Sequence, residues 1–202
     1  MQVKPEINEP LLWKEFLDGD QNSLTKIYLN NVNALYDFGC KFTVDRSFVK
    51  DCIQDMFITL IQTRTNLSET QHVKGYLLKS LKRKIIKESV KKQKFEEIVE
   101  TGDYRFEIEF QNIIDLEYES DTHSLKTLAV RSAIESLTSR QKEALYLRFN
   151  LGLSHKEIAH VLHLTEQSSR ALVSRAIQKI RDVIHLDKKH IKNILLFLFG
   201  SK

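Results

Sequence analysis

Between Glu166 and Arg175 the chain places side chains suited to reading a nucleic acid. Glu166, Gln167, Arg170 and Ser174 recur at three- and four-residue steps on one face of a predicted helix, with Arg175, Lys179 and Arg181 following. Short polar groups and Arg reach base edges, while further cations hold phosphates, so this face predicts major-groove contact. Arg170 is matched to a guanine and Gln167 to an adenine. A second constellation lies in the first half, where Lys79, Lys82, Arg83, Lys84, Lys87, Lys91, Lys92 and Lys94 crowd one helix that carries Val73, Tyr76, Leu77, Leu81 and Ile85 inward. A cationic track of this kind suits a single strand. A third is polar and acidic: Asp51, Gln54 and Asp55, joined by Ile58, form the outer face of an otherwise apolar helix.

The elements behind these side chains read as helices throughout. Proline is confined to Pro5 and Pro10 and only six Gly occur in 202 residues, so little interrupts helix after residue 11. Leu11–Phe16 precede a turn at Asp18-Gly19-Asp20, after which Asn22 or Ser23 is expected to cap a helix with Leu24, Ile27, Tyr28, Leu35 and Phe38 inward. Val49, Cys52, Ile53, Met56, Phe57, Leu60 and Ile61 give the next helix its buried stripe. Asn66–His72 lacks a period and reads as a loop. From Ser124 helices resume with Leu125, Leu128, Ala129, Ala133, Ile134 and Leu137. Thr138 caps another, stopped at Asn150-Leu151-Gly152. Ser154-His155-Lys156-Glu157 is a capping box, and Thr165 caps a helix to about Ile184. Ser154–Ser174 therefore fits a helix-turn-helix with Ala159 at the crossing, Ile158, Leu162 and Leu164 in its core and Leu172 locking the second helix. His163 stands where the turn usually has Gly, and Ser169 where a β-branched apolar residue is common.

Charge is segregated. Residues 95–121 carry a balance of −9, between +5 before and +8 after, within a net charge of +4. Two basic modules that meet a polyanion, joined by an acidic segment, are the expectation. Phe106–Phe110 alternates and suggests a short extended piece. The fold class is all-α, two small helical domains: a tail over 1–10, a first domain over 11–94, an acidic linker over 95–123, a second domain over 124–186 and an apolar tail over 187–202.

Other chemistries are not supported. No Gly-rich phosphate loop, nucleophile set or paired-carboxylate pocket appears, so no enzyme is predicted. His155, His160 and His163 lack a completing Cys or carboxylate, so no metal and no cofactor are predicted. Cys40 and Cys52 read as core thiols. The longest apolar run, Ile194–Phe199, is far short of the roughly 20 residues of a membrane span, and neither stable membrane insertion nor an export signal is expected. The setting is cytoplasmic. The tail Ile191–Phe199 is expected to pack on a domain or a partner.

Two motifs in order give the chain a family resemblance. Asp51-Cys52-Ile53-Gln54-Asp55-Met56-Phe57 resembles the D-x-x-Q-D-x-F helix of domain two of bacterial sigma factors, and Leu164–Arg181, with Ser174-Arg175-Ala176 and Lys179-Ile180-Arg181, resembles the recognition helix of domain four. Over residues 11–186 the chain resembles the extracytoplasmic-function (ECF) group of the sigma-70 family. The resemblance implies a transcription initiation factor that binds core RNA polymerase, at its clamp helices and flap, and promoter DNA, with an anti-sigma factor as a further partner. It implies that Asp51, Gln54, Asp55 and Ile58 contact polymerase. It places Leu67, Ser68 and His72 at the pocket for a flipped −10 base, and Tyr76, Lys79, Lys82, Arg83 and Lys87 along the melted strand. It assigns Thr165, Glu166, Gln167, Ser168, Arg170, Ser174 and Arg175 to the −35 duplex, and the acidic segment from Glu96 to Asp121 to the polymerase cleft and RNA exit channel. Where the family often has Asn, in a stretch like R-N-x-x-x-D, this chain has Arg83 and then Lys87, so base reading through that Asn does not carry over while the implied backbone grip is the stronger for it. The rival is an autonomous dimeric helix-turn-helix regulator, but the first half lacks a ligand pocket or heptad seam.

Overall fold

The computed structural model describes residues 8–89, 104–108 and 131–184, in two units, Met1–Lys92 and Gln93–Lys202. The described residues are helical apart from turns and loops.

In the first unit, α1 (Glu9–Asp18) begins at Asn8, whose side chain accepts from Leu11 N at 3.1 Å, with Pro10 in the first turn where no N–H is needed. It ends at Gly19, whose φ of 114° is left-handed. Asp20, and not Asn22 or Ser23, caps α2 (Gln21–Gly39), because its carboxylate accepts from both Asn22 N and Ser23 N. Asp45 caps α3 (Arg46–Gln62). Gly39 marks the closest approach, since a Cβ there would meet Val49 Cγ1 at 2.5 Å. A 3-10 turn (Arg64–Asn66) and an irregular stretch to His72 lead into α4 (Val73–Ser89).

The expected apolar stripe of α3 is buried at Val49, Cys52, Ile53, Met56, Phe57 and Leu60, where burial pushes the Cys52 thiol up to about 11. Besides the α2 cap, three expectations fail in this unit. Ile61 is 56% exposed, and Tyr28 is 39% exposed with its ring edge-on to Phe57. Both continue the helical period of an inward stripe but sit past the edge of what α2 and α4 cover. Lys82, assigned to the cationic surface of α4, is only 2% exposed: it falls between Leu78, Leu81, Ile85 and Ile86 on the buried side of a helix whose apolar face is wider than a single stripe.

In the second unit a helical stretch over 131–135 buries Ala133 and Ile134. Thr138 forms a capping box with Gln141 at the start of α5 (Ser139–Leu145), which runs into a π-helical turn, Tyr146–Asn150. Gly152 takes φ 69°. A second capping box, Ser154 with Glu157, opens α6 (His155–Leu162), and α7 (Glu166–Ile184) follows. His163 adopts the left-handed conformation, φ 54°, so a non-glycine residue makes the turn at a cost of about 1 kcal/mol.

Residues 104–108 depart from the linker reading. They pack on this unit as a strap: Phe106 is fully buried with its ring edge-on to Tyr146, Ile108 is buried, the Tyr104 hydroxyl donates to the buried Glu143 carboxylate, and Lys142 bonds Glu107 at 3.3 Å. The alternation of Phe106 and Ile108 with Arg105 and Glu107 is real, but it faces helices and forms no strand. Enclosing Phe106 contributes about 2 kcal/mol. The rest of the acidic segment and the apolar tail lie outside the described residues.

Candidate polymerase and nucleic-acid interfaces

On α3 the four outer residues come together as expected. Asp51, Gln54, Asp55 and Ile58 are all exposed, Ile58 at 42%. Gln54 and Ile58 line a cleft of about 690 Å³ between α2 and α3, with Tyr28, Tyr36, Lys50 and Ile61 also on its walls. The two residues misplaced by periodicity thus widen the apolar part of this surface. Asp55 is not simply displayed: it pairs with Lys84 of α4 at 2.9 Å, and Lys84 also reaches Glu88 at 3.4 Å. Those hydrogen bonds, with Asp55 first, raise the Lys84 ammonium pKa. No signal along α3 alone discloses this tie, because the lysine lies on another helix.

The loop before α4 is anchored from α1. Trp13, 1% exposed, donates its indole N–H to Ser68 O at 3.0 Å and packs its ring on Phe16 and on Tyr76. This fixes the backbone of Ser68 while leaving its side chain exposed; Leu67, His72 and Tyr76 are half-buried around it. Along α4, Lys87 is exposed and Lys79 and Arg83 are half-buried. Burial, then the charge of Arg83, lowers the Lys79 pKa. Lys82 is removed from this track by its burial.

In the helix-turn-helix, Ile158, Ala159 and Leu162 of α6 face Ser169, Val173, Ala176 and Ile180 of α7, all buried. Val173 takes the locking place assigned to Leu172, which is half-buried, as is Leu164. Ser169 Oγ is enclosed without a hydrogen-bond partner, which fits a position that favours an apolar side chain. Arg140 ties α5 to the end of α6 through Leu162 O at 3.0 Å.

All seven residues predicted on α7 and its cap are exposed: Thr165, Glu166, Gln167, Ser168, Arg170, Ser174 and Arg175. Thr165 accepts from Ser168 N at 3.1 Å, so its hydroxyl is committed to the cap. Arg170 pairs with Glu166 at 2.6 Å one turn earlier, which aims the guanidinium along the helix face. Lys179, expected as a phosphate clamp, donates to Ser136 O and ties α7 to the unit's first described turn. Among the described residues no group of three His, Cys, Asp or Glu side chains is placed to hold a metal ion, and no helix is long and apolar enough to cross a membrane.

Residues 127–180 match the family model "Sigma-70, region 4". The chain is 25% identical over 162 residues to the ECF RNA polymerase sigma factor SigM of Bacillus subtilis (strain 168), covering 79% of this chain and 93% of that protein. Among solved structures, CnrH in complex with the cytosolic domain of CnrY shares the fold at a TM-score of 0.58 and 17% identity, over 90% of this chain and 100% of that one. The sigma factor RpoE in complex with the anti-sigma factor NepR, from Bartonella quintana, does so at a TM-score of 0.54 and 18% identity, over 82% and 98%.

Proposed function

We propose that this chain, from its match to sigma-70 region 4 and its likeness to an ECF sigma factor, is a sigma factor of the ECF group that carries core RNA polymerase to promoters through separate protein- and DNA-facing surfaces. The α3 face of Asp51, Gln54, Asp55 and Ile58, with its cleft, docks on the polymerase. Leu67, Ser68, His72 and Tyr76 take the −10 region, and Lys79, Arg83 and Lys87 hold the displaced strand. Thr165, Glu166, Gln167, Ser168, Arg170, Ser174 and Arg175 meet the −35 duplex, Arg170 and Gln167 at base edges and Arg175 at a phosphate. The observation that carries this reading is the complete exposure of that face on a helix whose opposite side is locked into a capped helix-turn-helix. The work is binding, carried out in the cytoplasm where the polymerase is. An anti-sigma protein, as NepR is to RpoE, would act by covering the α3 face or clamping the units.

Footprinting of genomic promoter fragments tests this. Protection over both elements is expected only when core polymerase and the chain are mixed. A palindromic footprint by the chain alone would replace this reading with that of an autonomous regulator.

A further inference from the structure

The strap of 104–108 is held at every residue but one by the unit that follows it. Phe106 is fully enclosed, with its ring edge-on to Tyr146 at 5.8 Å between centroids, and Ile108 is buried. Glu107 pairs with Lys142 of α5, and the Tyr104 hydroxyl donates to Glu143 of the same helix. Burial, then the charge of Glu143, pushes the Tyr104 phenol up, so it stays a donor at every working pH. Each of the two enclosed apolar side chains favours the seated strap by about tenfold or more. Closing a loop to reach that seat costs entropy that grows only with the logarithm of loop length.

The seat divides the stretch between the end of α4 at Ser89 and the helical residues from 131 onward into two pieces with different roles. Residues 90–103, fourteen in number, run from α4 to the strap, whereas residues 109–130, twenty-two in number, leave the second unit and return to it. We propose that the strap sets the working length of the connection: with Phe106 seated, residues 90–103 alone join α4 to the second unit, and that length selects the spacing of the two promoter elements the chain serves. The proposal rests on the assignment of the −10 region to the first unit and the −35 duplex to the second. A tether that joins two binding modules gives an effective concentration near zero when it cannot span their sites, maximal at a match, and falling roughly as the −3/2 power of length beyond it. Fourteen residues reach at most about 50 Å, and the forty-one of 90–130 about 140 Å. Each added base pair moves the elements apart by about 3.4 Å and turns one about the other by about 35°. A short tether registers such a step, and one three times as long absorbs it. Residues 109–130 add nothing to the connection while the strap is seated, so their number is free of that constraint.

Core polymerase loaded with the full chain, transcribing a promoter fragment recovered by the footprinting above, tests this. The DNA between the two protected elements is lengthened or shortened by up to about three base pairs, and each variant's output is read as a ratio across that series, so that a general loss of activity cancels. The wild type is expected to lose about tenfold or more for a two-base-pair change. About 28 Gly/Ser residues inserted between Glu97 and Ile98 triple the tether and are expected to cut that penalty to about threefold or less. The same insertion between Glu119 and Ser120 is expected to leave the wild-type profile unchanged, and to flatten it once Phe106→Ala has freed the strap. A profile flattened by the Glu119 insertion in the wild-type background shows the strap unseated at work, and a profile left unchanged by the Glu97 insertion shows that the tether does not set spacing; either result overturns the proposal. Should Phe106→Ala fail to fold, the two insertions in the wild-type background still decide. A wild type that directs no promoter-dependent transcription from any fragment overturns the sigma-factor reading itself, and the spacing role with it.

Discussion

Helices α3 and α7 both bury one side, yet their outer faces differ in kind. Beside α3 the exposed surface includes large apolar groups, Ile58, Ile61 and Tyr28, around a cleft, with carboxylates at its edge. The N-terminal half of α7 exposes polar and charged side chains with no large apolar group fully exposed among them, Ala171 being small and Leu172 half-buried; Val183, near its end, is the large exposed apolar residue of that helix among those described. An apolar cleft rewards a partner that desolvates it, which is how protein interfaces gain their affinity. An ionic face without a large exposed apolar group rewards a partner that brings charge and hydrogen bonds of its own, as duplex DNA does. The partner class is thus written in what each face lacks as much as in what it displays.

That contrast can be broken at either face. The largest expected effect is at α3: Ile58→Glu places a charge in the part of the cleft that a protein partner must dry. Binding to core polymerase should weaken by about thirtyfold or more, roughly 2 kcal/mol, with circular dichroism unchanged. Binding that survives this change would show the apolar cleft to be irrelevant to docking.

Arg170→Ala comes next. Its loss is expected to cost about 1–3 kcal/mol at one −35 base pair and much less at others, measured as polymerase-bound affinity across single-base variants. A uniform loss would make Arg170 a phosphate contact. Arg175→Ala should instead weaken every sequence alike and reduce the slope of log K against log salt by about 1; an unchanged slope would remove Arg175 from the backbone contacts. The smallest effect belongs to Asp55→Asn, which takes away the Lys84 ion pair. Because Asp55 is 55% exposed at its side chain, thermal unfolding should report less than about 1 kcal/mol, while any larger loss in polymerase recruitment would be a direct contribution of the carboxylate.

Much of this was legible in residue order because helices announce themselves locally. The two capping boxes, Thr138 to Gln141 and Ser154 to Glu157, and the buried stripe of α3 depend on residues three or four apart. What periodicity missed depends on neighbours distant in the chain. Ile61 and Tyr28 have inward spacing but nothing above them. Lys82 has an outward charge but lies under the core. Asp55 is bound by a lysine 29 positions away. The candidate sites read the same way: the faces of α3 and α7 are amphipathic patterns and were visible, whereas the tie of Trp13 to Ser68 O required the fold. The strap of 104–108 was hidden most deeply, since an acidic composition masked the Phe106 and Ile108 that anchor it.

The strap also sets an order of events in time. Its contacts, Tyr104 with Glu143 and Phe106 with Tyr146, join residues about 40 apart, whereas the capping boxes and helical turns close over three or four. Loop closure makes such distant contacts slow to form relative to local ones, so the C-terminal unit is expected to assemble its helices first and to seat Phe106 near the end. In stopped-flow refolding, Phe106→Ala should then leave the folding arm nearly unchanged and speed unfolding, by about tenfold for each 1.4 kcal/mol lost. A slowed folding arm would place the strap in the nucleus. If it does close last, the strap is the latch on which the unit's lifetime depends, and cutting the chain after residue 108 would leave a helix-turn-helix that still folds but does not stay folded for long.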